Sequence, residues 1–211
     1  MTSATIIFLN GTSSSGKTTL AKELQEQLEE PYLHLALDQF RDSLPDKFRG
    51  LNSPHGTTGA RGLNVVPSLD NEIPITSIVF GETGKLMLKG MRSAMAAVVE
   101  AGNNIIIDDI ILETEFLNAY LRVFKDLKVY FVGVKCAIEI AEERESKRPG
   151  RFPGTALSQV SICHAHDLYD IEVDTAMTSP RECAARVLAR MLSPPSAFDK
   201  LRDIRFGPLK K

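Results

Sequence analysis

Hydrophobic positions along the chain fall into two alternating patterns. Residues 6–9 (Ile-Ile-Phe-Leu), 32–37, 104–108, 129–134 and 169–173 are short runs rich in β-branched, aromatic and aliphatic side chains. Runs of this length and composition predict strands buried on both faces. Between them, apolar residues recur every three or four positions, as at Leu20, Leu24 and Leu28 and at Leu88, Met91, Met95 and Val98. That spacing predicts helices over 17–30, 84–101, 113–127, 137–147, 155–164 and 180–192, the last opened by Pro180. Phe40, Leu44 and Phe48 suggest a further short helical segment that stops at Gly50. Strands alternating with helices imply a five-stranded parallel sheet with helices on both faces, a three-layer α/β fold.

Two stretches break the pattern. Residues 51–74 show no period and are rich in glycine and proline, so they read as a long excursion from the sheet, and loops of that length are usually functional or disordered. The segment after Pro194 carries five basic and two acidic residues and reads as a solvated or partly disordered tail. The expected organisation is one domain over 1–193, with an acceptor-side insertion near 42–82, a lid near 144–164, and a tail over 194–211.

The junction between the first strand and first helix carries the chemistry. Gly11 to Thr18 reads G-x-x-x-x-G-K-T, with Thr12, Ser13, Ser14 and Ser15 between the glycines and Thr19 after the motif. Gly11 and Gly16 let the backbone wrap so that its N–H groups point at a polyphosphate. The helix N-terminus adds further donors and the positive end of its dipole. Lys17 is placed to reach the β and γ phosphates, and the Thr18 hydroxyl to ligate a phosphate-bound magnesium ion. The implied ligands are ATP and Mg2+.

Composition narrows the class. With 211 residues and a formal net charge of −2, the chain has no global attraction to nucleic acid or to an anionic membrane. No apolar run reaches the length of a membrane span. Three cysteines at 136, 163 and 183, without metal or redox spacing, fit a reducing cytoplasm. No N-K-x-D run follows the strand at 129–134, which weighs against guanine selection.

Asp38 ends the second strand, where ligands gather in an open parallel sheet, and reads either as a general base or as a cap of the following helix. Asp108 and Asp109 end the central strand beside the loop, and one of them would serve magnesium. Arg144, Lys147, Arg148 and Arg151 form a basic cluster around a Pro-Gly turn, either a lid over the transferred phosphate or a solvated helix end. His164 and His166 lack partners at metal spacing and read as surface or core-edge residues.

The blocks LNGTSSSGKT, LALDQF, AGNNIIIDDIIL, VGVKCAIEIAEERESKRPGR and YDIEVDT, in that order, resemble the chloramphenicol phosphotransferase family. The resemblance implies a P-loop kinase-like fold and transfer of the ATP γ-phosphate to a hydroxyl of a small molecule, a chloramphenicol-like antibiotic or a metabolite. It would place Lys17 and Thr18 at the phosphates and magnesium, Asp38 at the acceptor hydroxyl, and Arg148 and Arg151 near the transferred phosphate. Residues 49–81 depart from the family pattern in the region that shapes its acceptor pocket. Rival readings are a nucleoside or nucleotide-sugar kinase and a non-catalytic ATP-binding regulatory module.

Overall fold

The computed structural model describes residues 4–207. Its main sheet contains β1 (Thr5–Asn10), β2 (Tyr32–Ala36), β6 (Asn104–Asp109), β7 (Lys128–Lys135) and β8 (Ile171–Asp174), ordered β2-β6-β1-β7-β8. Every pairing is parallel, with Leu9 opposite Asp108 and Asn10 opposite Asp109. β1 is central and all six of its residues are buried.

The two-residue period of β1 divides the core. Ile6 and Phe8 face one cluster, and Ile7 and Leu9 the other. The first cluster is covered by α4 (Glu82–Glu100) through Leu88, Met91 and Met95, and by α5 (Thr114–Val123) through Leu117, Tyr120 and Leu121. The second is covered by α1 (Lys17–Gln27) through Leu20, Ala21 and Leu24, and by α8 (Pro180–Arg190) through Cys183, Ala184 and Val187. α2 (Leu37–Ser43), α6 (Ile138–Ser146) and α7 (Thr155–Cys163) lie at the strand ends that the next section describes. Among the described residues no helix is long and apolar enough to cross a membrane.

The structure corrects both irregular readings. Residues 51–74 do not form an unstructured loop. β3 (Arg49–Leu51), α3 (Thr58–Arg61), β4 (Leu63–Asp70) and β5 (Ile73–Phe80) build a second sheet in the order β3-β4-β5. β4 and β5 form an antiparallel hairpin, turning through Asn71 and Glu72 with positive φ of 48° and 68°, the backbone of a tight two-residue turn. Leu63 and Phe80 face each other across it and enter the first core cluster. Pro67 is tolerated inside β4 because β3 ends at Leu51, opposite Val65, and leaves a free edge beyond. A Cβ on Gly62 would lie 1.9 Å from the Phe48 carbonyl oxygen, so glycine here reflects close packing.

The stretch after Pro194 is likewise not a solvated tail. It forms α9 (Ala197–Phe206), which buries Ala197, Phe198 and Leu201 in the first cluster. The Phe198 ring lies 5.1 Å from Phe131 and 5.9 Å from Phe8. The end of that expected tail, 208–211, lies outside the described residues.

Candidate active site

After Asn10 the chain turns sharply into α1. A Cβ on Gly11 would meet the Val134 carbonyl oxygen at 2.5 Å, and Ser14 and Gly16 take left-handed φ of 59° and 92°. Lys17 folds back over the loop and donates to the carbonyls of Gly11 at 2.9 Å and Thr12 at 2.8 Å. The Ser14 and Ser15 hydroxyls are buried without a hydrogen-bond partner, and no side chain caps the N-terminus of α1. Unpaired donors and a buried cation around one concavity fit a polyphosphate.

Asp108 and Asp109 leave β6 in different directions. Thr18 donates its hydroxyl to Asp108 Oδ2 at 2.6 Å, and Lys17 Nζ stands 3.9 Å from Oδ1. Burial opposes ionisation of Asp108, but His34, Lys17 and Thr18 together outweigh it and hold its carboxyl below the usual range. A hydroxyl and an ionised carboxylate beside a phosphate cradle are the hard oxygen donors that magnesium takes. Asp109 instead accepts from the Tyr120 hydroxyl and from the Ile110 amide at 2.7 Å. Burial raises its pKa, against the pull of those two bonds and of Arg92. Asp108 is therefore the carboxylate beside Thr18.

Asp38 lies in the first turn of α2, yet its side chain is not the cap, because the N-cap position is Ala36. Its two oxygens receive Arg41 at 2.7 Å and Arg151 at 3.0 Å. A cleft of about 790 Å³ brings Lys17, Thr18, Thr19, Asp38 and Asp108 together with Arg144, Arg148 and Arg151. A second cleft of about 570 Å³ opens between β3, β4 and the turn after α6, and Lys147, Arg148 and Arg151 line both. Arg144 is held by the Thr175 carbonyl at 2.7 Å and its hydroxyl at 3.1 Å, while Thr175 also donates to Ser15 O at 2.6 Å.

Several site residues escaped the sequence reading. His34 lines the cleft, with Nε2 3.5 Å from Asp108 Oδ2; its signal was a polar side chain within an otherwise apolar strand. Arg41 stands one helical turn after Asp38, a spacing that permits an ion pair. Gln159 of α7 accepts the Ser13 amide at 2.6 Å, a contact without any local sequence signal. His164 and His166 lie behind the loop. His164 Nδ1 is 2.6 Å from the Tyr169 hydroxyl, and Asn10 Nδ2 is 2.7 Å from that hydroxyl and 3.3 Å from His166 Nε2.

Comparison with known proteins places the chain in a family and identifies its fold. The profile of the family described as chloramphenicol phosphotransferase-like protein matches residues 4–192. The chain belongs to that family. Proteins of Mycobacterium tuberculosis strains H37Rv and CDC 1551, which carry the provisional name of O-phosphotransferase, are 31% identical over 204 residues, covering 93% of this chain and 87% of theirs. The fold resembles an unliganded sugar kinase from Janibacter, with a TM-score of 0.59 and 22% identity over 90% of this chain and 94% of that one. It also resembles an APS kinase of M. tuberculosis in complex with AMPPNP and APS, with a TM-score of 0.61 and 15% identity over 90% and 98% of the two chains. This family member therefore has the fold of P-loop kinases. The family match takes in the second sheet and ends before α9.

Proposed function

We propose that the protein is an ATP- and magnesium-dependent phosphotransferase that moves the γ-phosphate to a hydroxyl of a small molecule. The observation carrying this reading is the place of Asp38: it lines the phosphate cleft, and its partners Arg41 and Arg151 line the adjoining one. An acceptor in the second cleft would present its hydroxyl where a carboxylate and the loop lysine flank the same space. In the reaction the acceptor oxygen forms the new P–O bond as the bond to the β-phosphate breaks. Asp38 orients the hydroxyl and takes its proton.

Lys17, the loop amides and the first turn of α1 would hold the phosphates, and Thr18 and Asp108 would hold a magnesium ion, which would neutralise charge on them. Arg148 and Arg151 face the charge that spreads over the transferred group.

The test is incubation of purified protein with Mg·ATP and a panel of hydroxylated small molecules that includes chloramphenicol, read by mass spectrometry. Transfer to an acceptor separates an enzyme from an ATP-binding module. Asp38→Asn should lower turnover by about 10²- to 10⁴-fold with ATP binding retained. Near-normal turnover in a folded variant would remove Asp38 from the chemistry.

A further inference from the structure

The second cleft carries a charge pattern that the transfer reaction alone does not require. Arg41, Arg49, Lys147, Arg148 and Arg151 line it, against the single carboxylate of Asp42. Lys147, Arg148 and Arg151 are shared with the phosphate cleft, whereas Arg41 and Arg49 border only the second one. They meet at one atom. Asp42 Oδ1 receives Arg41 through Nε at 2.9 Å and Nη2 at 2.8 Å, and Arg49 Nη1 stands 3.6 Å away. Two guanidinium groups around one anionic oxygen form a seat for a carboxylate or a phosphate. In the structure that seat is taken by a side chain more than half exposed.

The other ion pairs around the seat lie at the surface. Lys147 meets Glu143 and Arg49 meets Asp46, with the Asp46 side chain 90% exposed. Water-exposed ion pairs of this kind hold their partners weakly. Arg148 makes no ion pair or hydrogen bond through its side chain among the described residues, and Arg41 and Arg151 share the one carboxylate of Asp38. Leu63, Val65 and Phe152 add apolar side chains to the lining of the cleft, and its volume suits a small molecule.

We propose that the acceptor is a small hydroxylated anion, whose carboxylate, phosphate or sulfate group binds between Arg41 and Arg49 in place of the Asp42 carboxylate. This rests on the phosphotransferase reading and names the acceptor class. Asp42 acts as a built-in competitor for the seat.

The test uses the full-length protein with Mg·ATP and matched acceptor pairs. Hydroxy acids are compared with their amides, and hydroxylated phosphate or sulfate monoesters with the parent alcohols. Anionic members should exceed their neutral partners in kcat/KM by about 10- to 100-fold, the worth of a hydrogen bond to a charged group. Whichever anionic arm shows the larger ratio identifies the group. Arg49→Gln should raise KM for the anionic member with little change in kcat, and Asp42→Asn should lower it. Equal turnover within each pair, or an Asp42→Asn variant that binds the anion more weakly, overturns the inference while leaving the phosphotransferase reading intact. No transfer to any acceptor by protein that still binds ATP overturns both.

Discussion

Replacing Asp108 and Asp109 separately by asparagine asks which of two adjacent carboxylates serves the phosphates. Each change removes a charge and preserves shape. At Asp108 the lost charge faces Thr18 at 2.6 Å and Lys17 at 3.9 Å, but Lys17 keeps its two loop carbonyls. Folding should lose some stability, because the surroundings of Asp108 favour its charged form over a neutral one. The metal should suffer more. Outer carboxylates that orient metal ligands are worth about 10- to 100-fold in metal affinity, or about 1.4 to 2.7 kcal/mol.

The assay is titration of a fluorescent ATP analogue with magnesium and with EDTA. The ratio of the two affinities measures what the metal adds. Asp108→Asn should shrink that ratio by the stated factor and leave the EDTA affinity equal or slightly better, since a negative charge near the phosphates is gone. Asp109→Asn should leave the ratio unchanged and lower stability instead. The amide nitrogen that takes the place of one carboxylate oxygen accepts nothing, so either the Tyr120 hydroxyl or the Ile110 amide loses the acceptor it now has. The cost of about 1 to 3 kcal/mol corresponds to about 2 to 12 °C in Tm for a chain of this size. An unchanged magnesium ratio in Asp108→Asn, or a collapse in Asp109→Asn alone, would refute the assignment.

Arg148→Ala and Arg151→Ala should lower turnover, by up to about 10³-fold, more than they weaken nucleotide binding; steady-state kinetics confining the loss to the ATP KM would point to simple binding. Phe198→Ala should destabilise the fold by about 3 to 5 kcal/mol, visible in urea or thermal unfolding, and unchanged stability would contradict the burial of α9. Burial first, then nearby cations, lower the pKa of His164 to about 4; burial, His164 and Lys135 do the same for His166. Because the unfolded chain binds protons that these folded imidazoles refuse, their contribution is present above the ordinary histidine range and is lost as pH falls from there through about 4. Tm measured across that window should fall with pH, and less steeply in a His164→Gln/His166→Gln variant.

What the sequence disclosed was local. The run from Ile6 to Leu20 announces its own strand, turn and helix, and β1, β6 and β7 announce a parallel sheet because burial on both faces makes them nearly continuous apolar runs. The β4–β5 hairpin hid because apolar residues lie on both of its sides. Ile73 and Val79, 53% and 48% exposed, lie on the face opposite the buried Leu63 and Phe80, and Pro67 interrupts the alternation. α9 hid behind its own charges, since only Ala197, Phe198 and Leu201 anchor it firmly among aspartates, lysines and arginines. Within the site, Lys17 and Thr18 were legible from motif spacing. The choice at Asp38 between base and cap depended on where α2 starts, and the pairing of Arg41 with Arg49 depended on a strand the sequence did not announce.

The tethering of α7 has a mechanical consequence. Glu145 near the end of α6 binds the Thr155 and Ala156 amides at 3.1 and 3.0 Å, so the ends of the turn carrying Arg148 and Arg151 are pinned together. Downstream, Gln159 grips Ser13 and Asn10 grips the Cys163 carbonyl at 2.8 Å. The segment over the cleft is thus a short turn on a fixed base, bent at Gly150, which takes a left-handed φ of 73° with open space where a side chain would stand. A swinging lobe would have to break those anchors. On its other side α7 is stitched to β5 by the Ser158 hydroxyl on the Thr76 carbonyl at 2.7 Å, and the Thr76 hydroxyl in turn binds the Pro153 carbonyl at 2.8 Å. One helix thus ties the second sheet, at Thr76, to the phosphate loop, at the amide of Ser13.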